Sequence, residues 1–174
     1  SEADVDFDPE KTLQETTPES IRESIIASDV ARGVGRLFIR HGMTSLCEVP
    51  LPNGRRADMV AVDARGNIVI VEIKVSRADL LGDTKWPDYL EYCDRFFWAL
   101  PQGFDASPLD GENYFPDRSG IIIADRYDAE ILRPAATHAL APARRKSELL
   151  RIARLAMQRN MMLQDPGLAN LPPA

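Results

Sequence analysis

Cysteine is scarce in this chain: there are two in 174 residues, Cys47 and Cys93. Two thiols build no disulfide framework, and their separation matches no zinc motif. They read as reduced thiols of a cytoplasmic protein. Long apolar runs are missing as well. No stretch approaches the roughly 20 residues that a membrane helix needs. The N-terminus is acidic and has no apolar centre, so it reads as no secretory signal. Aromatic residues make up 7% of the chain and form no stripe suited to base stacking. A positive balance is lacking too: 21 Lys and Arg stand against 27 Asp and Glu, a net charge of −6. That balance argues against a general coat for nucleic acid. No internal repeat is visible.

What is present suits one globular domain of ordinary size, 44% hydrophobic and 28% charged. The charge is uneven. Ser1 to Glu23 holds eight acidic residues and two basic ones, and the rest of the chain holds 19 of each sign. Arg144 to Arg159 carries six basic residues against Glu148 alone. The expected division is a disordered acidic tail over 1–17, a single domain over 18–163 and a flexible tail over 164–174.

The strongest pattern runs from Arg55 to Ser76. Two β-rich runs, Arg55–Asp63 and Ile68–Ser76, flank a turn containing Gly66. A three-residue loop, Ala64-Arg65-Gly66 with Gly66 left-handed, sets Asp63 against Asn67 and therefore Asp58 against Glu72. Side chains alternate, so Lys74 falls on the same face as Glu72. Opposed residues have Cβ atoms roughly 4.5–5.5 Å apart. Two carboxylates and an ammonium thus come to one end of a hairpin that is apolar on both faces, as a central strand pair is. Like charges so opposed need compensation. A divalent cation with oxygen ligands would supply it, and so, in part, would Lys74. An ordinary salt bridge at a strand end fits the same spacing.

The flanking segments complete the layout. Thr17-Pro18 opens a helix through Ile21, Ile25, Val30, Val34, Leu37 and Phe38 that stops near His41-Gly42, with Glu23 and Arg32 as polar residues on it. Met43–Val49 reads as a strand, with Glu48 placed either beside Asp58 or as an edge charge. Arg77–Thr84 reads as a polar connector. Lys85–Asp94 reads as a short helix on which Lys85 and Tyr89 share a face. Phe96–Leu100 and Gly120–Asp125 read as buried strands joined by a long loop over Pro101–Ser119, and Ala129–Arg133 as an edge strand. A last helix runs from Pro142 to about Met162. Its Leu149, Ile152, Leu155 and Ala156 face the core, while Arg144, Arg151 and Arg154 lie on its polar side. The order implies an α/β (α+β) domain with a mixed central sheet flanked by helices.

That order, with Asp58 followed by Glu72-Ile73-Lys74, resembles the PD-(D/E)XK nuclease superfamily and its restriction-endonuclease-like core. A longer string looks like the MmcB-type bacterial DNA-repair proteins: Arg56-Ala57-Asp58, Val71 to Asp79, Asp83 to Tyr89 and Tyr92 to Phe96. This resemblance extends from about Arg22 to Ala124. It implies a bacterial cytoplasmic protein of DNA damage repair with a metal-dependent nuclease core. By motif, Asp58, Glu72 and Lys74 would be catalytic. Asp58, Glu72 and the Ile73 carbonyl would hold Mg²⁺ or Mn²⁺, and Lys74 would orient the attacking water and stabilise charge on the phosphate. Lys85 and Tyr89 take the place of a Gln/Lys and Tyr pair, and Glu23 that of a first-helix carboxylate. Ala57 stands where the motif has Pro. DNA is the implied partner, with repair proteins and a second copy of the chain as further ones.

Elementary chemistry agrees with that assignment. A carboxylate-bound divalent ion acts as Lewis acid and lowers the pKa of bound water. Mg²⁺ keeps several waters and takes only one or two protein carboxylates. Two other readings of the same residues are a catalytically silent module that binds damaged or branched DNA or recruits repair partners, and a structural ion network.

Overall fold

The computed structural model describes residues 17–174. The acidic tail expected over 1–17 falls almost wholly outside them. Helix α1 (Pro18–Arg40) starts where its signals place it. The Thr17 hydroxyl accepts the Ser20 N–H at 3.1 Å, and Pro18 occupies the first turn, where a missing N–H costs nothing. Val30, Val34, Leu37 and Phe38 are buried. Ile21 and Ile25, expected in the same apolar series, stay exposed, because the first turns border a cleft and not the core.

Six strands form one sheet in the order β1-β2-β3-β4-β5-β6. The meander β1 (Met43–Pro50), β2 (Arg56–Asp63) and β3 (Ile68–Ile73) is antiparallel. Strands β4 (Arg95–Pro101) and β5 (Gly120–Ala124) continue it in parallel, and β6 (Ala129–Arg133) closes the edge antiparallel. A parallel β3–β4 pair needs a crossover. It is built by α2 (Arg77–Gly82) and a 3₁₀ helix, Trp86–Tyr92. The expected connector is therefore a helix over most of its length. Its start was encoded: the Ser76 hydroxyl accepts the Asp79 N–H at 3.1 Å, an N-cap that offsets the brevity of the segment.

Both faces of the sheet are covered, as the two-sided apolar pattern of the hairpin requires. One face packs Met59, Val69, Val71, Phe97 and Ile122 against α1. The other packs Val60, Ile68, Ile70, Phe96 and Trp98 under Trp86, Tyr89 and the segment after β4. That segment is more than a surface loop. Leu109 and Tyr114 are buried in it, and the Tyr114 hydroxyl donates to the Leu80 carbonyl at 3.1 Å. Helix α3 (Pro142–Gln164) lies over the same face through Ile152, Leu149 and Leu155. A 3₁₀ turn, Pro166–Asn170, follows it.

The basic stripe of α3 is largely engaged within the protein. Arg145 donates to both oxygens of Asp94 and, at 2.9 Å, to the Gly66 carbonyl. Arg151, expected on the polar side, donates to the Pro50 carbonyl and to buried Glu148. Arg159 donates to the Cys47 and Glu48 carbonyls. Arg144 stacks over Tyr92, 4.7 Å from the ring centroid. Lys146 and Arg154 alone make no such contact among the described residues. Counting charge along the helix overstates what it offers to a partner.

Candidate active site

The hairpin closes in the expected register: Met59 pairs with Val71, Val60 with Ile70, Ala61 with Val69 and Val62 with Ile68. Gly66, at φ +83°, takes the left-handed position that the three-residue loop demands. Asp58 thereby meets Glu72, and each carboxylate accepts a backbone hydrogen bond from the opposite strand. The Asp58 N–H donates to Glu72 Oε1 at 3.0 Å, and the Ile73 N–H donates to Asp58 Oδ2 at 2.7 Å. One oxygen of each carboxylate is thus fixed by the backbone. The other is free of backbone donors, and the proton that Glu72 retains can be shared between the two side chains.

Across from Asp58 stands Glu48, between the pairs Cys47–Met59 and Val49–Ala57. Its backbone is left-handed, φ +51°, a conformation non-glycine residues adopt at a cost of about 1–3 kcal/mol. The kink turns Leu46 and Val49, three residues apart, toward the same core. The Glu48 side chain itself is exposed.

The electrostatics at this strand end are unfavourable as they stand. Glu72 is only 5% exposed. Its burial, then the charge of Asp58, push its carboxyl up to about 8. Burial likewise raises Asp58, although the Ile73 amide and Lys74 pull the other way. Lys74 reaches the same end of the hairpin, but its ammonium pairs with Asp83 at 2.9 Å, the two side chains 14% and 16% exposed. No Lys or Arg among the described residues lies within ion-pair distance of Asp58 or Glu72. Asp83 adds to the negative field at Glu72.

Asp83 is the site residue that the sequence reading passed over. Its second oxygen accepts the Lys85 N–H at 3.2 Å, an Asx turn that aims the carboxylate at Lys74. The Asp83-Thr84-Lys85 turn was the available signal.

The remaining candidates divide. Glu23, half-buried on α1, lines a cleft of about 630 Å³ together with Ile73, Lys74, Asp79 and Asp83. Asp58 and Glu72 do not line it. Tyr89 is buried beside the acids: its hydroxyl donates to the Arg56 carbonyl at 3.1 Å, and burial, then Glu72 and Asp58, raise its pKa. Lys85 is exposed and does not share a face with Tyr89. Three residues per turn put positions four apart about 120° from each other, where an α-helix would have aligned them.

The donor chemistry can be tested against a metal. No group of three Asp, Glu, His or Cys side chains among the described residues is gathered closely enough to cage an ion. A closed zinc site is therefore not built here. Two carboxylates, each with one oxygen free of backbone donors and neither ion-paired to a basic side chain, suit a hard ion that displaces their shared proton and keeps most of its water.

A mixed sheet with helices on both faces, and an acid pair at the end of its central hairpin with a lysine two residues on, defines an α/β domain consistent with a nuclease-like core. Comparison with known proteins gives the family. The family described as DNA repair protein MmcB-like matches residues 14–167, and the chain belongs to it. Among solved structures, SPO1766 of Silicibacter pomeroyi, described as a protein of unknown function, is 45% identical with a TM-score of 0.73. The match covers 80% of this chain and 92% of that one. No curated protein matches. Among the described residues, no helix is long and apolar enough to cross a membrane.

Proposed function

We propose that the chain is a Mg²⁺- or Mn²⁺-dependent deoxyribonuclease of DNA damage repair, hydrolysing phosphodiester bonds at the Asp58–Glu72 end of the hairpin. Membership of a DNA-repair family supports the setting. The observation that carries the reading is the pair of buried, mutually opposed carboxylates that no basic side chain neutralises. Such a pair is costly unless something else supplies positive charge.

Asp58 and Glu72 would hold the ion, with the Ile73 carbonyl as a further ligand. When bound, the ion would polarise a phosphoryl oxygen and make bound water a better nucleophile. The chain's own residues do the rest. Backbone amides of Asp58 and Ile73 fix one oxygen of each acid and so aim the other. Lys74, restrained by Asp83, holds a positive charge two residues from Glu72, where it can orient water and meet an incoming phosphate. Glu23 shares the cleft with Lys74. Tyr89 anchors β2 through the Arg56 carbonyl.

The test is cleavage of single-stranded, duplex, flap and four-way DNA with Mg²⁺ and with Mn²⁺. Glu72→Ala and Lys74→Ala should each lower the rate by at least about 100-fold, as loss of a charge-stabilising group does, with the fold intact. Unchanged cleavage in either variant defeats the assignment. DNA binding without hydrolysis under any condition would leave the silent recognition module in its place.

A further inference from the structure

The cations that α3 withholds have a counterpart on the opposite side of the domain. Arg32, Arg36 and Arg40 are exposed at four-residue intervals on the C-terminal half of α1. They border a groove of about 770 Å³ that Thr44, Ser45 and Tyr127 complete. Tyr127 belongs to the β5–β6 turn and is 63% exposed. Arg126 adds a fourth guanidinium, 5.4 Å from the tyrosine ring centroid.

The groove is held together by specific contacts. The β5–β6 turn lies against α1 at Gly33. A Cβ there would sit 2.0 Å from the Asp125 carbonyl oxygen and 2.6 Å from that of Asp128, so only glycine allows the turn to dock this closely. Arg36 donates to the Tyr127 carbonyl at 3.1 Å, and Arg40 pairs with Asp128. These bonds use a few of the five donors each guanidinium carries and fix the groups in place. Asp125 is occupied within its own turn, accepting the Tyr127 and Asp128 amides. Arg32 and Arg126 make no ion pair or side-chain hydrogen bond among the described residues, and their charge is available.

We infer that this groove holds the phosphate backbone of a single-stranded DNA segment, with a base laid on Tyr127. The inference takes from the reading above only that the partner is DNA. Guanidiniums at successive turns of one helix, about 6 Å apart along its axis, suit a string of phosphates. A duplex offers phosphates but keeps its bases stacked inside. An exposed tyrosine beside exposed Ile39 is a platform for an unstacked base. Arginine is also the cation that combines phosphate and aromatic contacts.

Binding of fluorescent oligo-dT, and of a duplex of the same length, to the full chain in EDTA tests this. Arg32→Glu with Arg126→Glu breaks no ion pair or hydrogen bond, only the surface contact of Arg126 with the Tyr127 ring, and should leave thermal melting nearly unchanged. It should weaken oligo-dT binding more than tenfold and lower the log–log salt slope by roughly 1–2. Tyr127→Ala should weaken oligo-dT binding about tenfold and leave duplex binding alone. Lys146→Glu with Arg154→Glu, on α3, should change neither. The inference is overturned if the wild type does not bind oligo-dT, if either α1-side change leaves affinity intact, or if the α3 pair causes an equal loss. Cleavage by Lys74→Ala decides the hydrolytic reading separately, since that variant should still bind oligo-dT through this groove.

Discussion

Strand β3 has a buried carboxylate at each end, and the protein treats the two in opposite ways. At the start of the strand, Asp94, 2% exposed, has every need met. It accepts the Ile68 N–H at 2.7 Å and the Leu140 N–H at 2.8 Å, and both its oxygens take bonds from Arg145. Its burial raises its pKa, but Arg145 and the two amides outweigh that and hold the carboxyl below the usual range. About 13 Å further along the strand, Glu72 is equally buried but faces Asp58 without an ion-pair partner, and its carboxyl is pushed up to about 8. The same sheet that can satisfy a buried acid completely leaves the other pair unsatisfied. Buried acids with shifted pKa and no basic partner are commoner at functional sites than elsewhere, and the proposed cation site rests on that contrast. The satisfied end joins β3, the segment before α3 and α3 itself. The unsatisfied end adjoins Ile73 and Lys74, which line the cleft, though neither acid does.

The largest effect should come from breaking the satisfied end. Asp94→Ala leaves the Arg145 guanidinium and two amides without their acceptor. Removing one partner of a buried pair costs about 3–5 kcal/mol, or roughly 6–20 °C in Tm for a chain of this length. Thermal unfolding measures it. The pH dependence has a definite sign. A lowered carboxyl in the folded state gives stability that is present above the ordinary carboxylate range and is lost as pH falls through the folded value. Wild type should therefore lose this contribution in acid, and Asp94→Ala should show a shallower acid loss. A change under about 1 kcal/mol would remove the contrast between the two ends.

The opposite substitution, at the unsatisfied end, should stabilise. The folded Glu72 carboxyl at about 8 lies above its ordinary value of 4.5. Between those values the native state keeps a proton that the unfolded chain has released, so stability falls as pH rises through that window. Glu72→Gln keeps the shape and the acceptor for the Asp58 N–H but removes the charge. Without metal it should raise stability at pH 8 by about 1–2 kcal/mol, roughly 2–8 °C, and show almost no gain near pH 5. A variant less stable than wild type at pH 8 would show that the acid pair is structurally satisfied after all.

The contrast was half visible in the sequence. The unsatisfied end was legible because it rests on local rules: a glycine turn fixes the hairpin register, and strand alternation then sets Asp58 against Glu72. The satisfied end was not, because Asp94 and Arg145 are 51 residues apart and no local pattern links them. The same limit hid the contacts of Arg151 with Pro50 and of Arg159 with Cys47 and Glu48, and the packing of Leu109 and Tyr114, all of which depend on distant partners. Asp83 was missed for a subtler reason. Lys74 was assigned to the acids by spacing alone, whereas the fold offers it a second carboxylate at the end of a six-residue helix. A helix of that length is below what periodicity can detect, so its sequence reads as a connector. Lys85 and Tyr89 share a face only at α-helical spacing, and the segment winds as 3₁₀.

The smallest expected effect is the one that addresses the difference between the ends most directly. If the Asp58–Glu72 pair is a cation site, Mg²⁺ or Mn²⁺ should stabilise the folded chain by mass action, by about 1.4 kcal/mol at ten times Kd, or roughly 3–6 °C. Because the ion competes with the proton that Glu72 retains up to about pH 8, the shift should be larger at pH 8 than at pH 6. Asp58→Asn and Glu72→Gln should each abolish it, while Asp94→Ala, though far less stable, should keep it. Calorimetric scans at two pH values with and without the ion read all of these. A shift that survives Asp58→Asn would place the ion elsewhere, and a shift lost in Asp94→Ala would mean that the two ends of β3 are not independent.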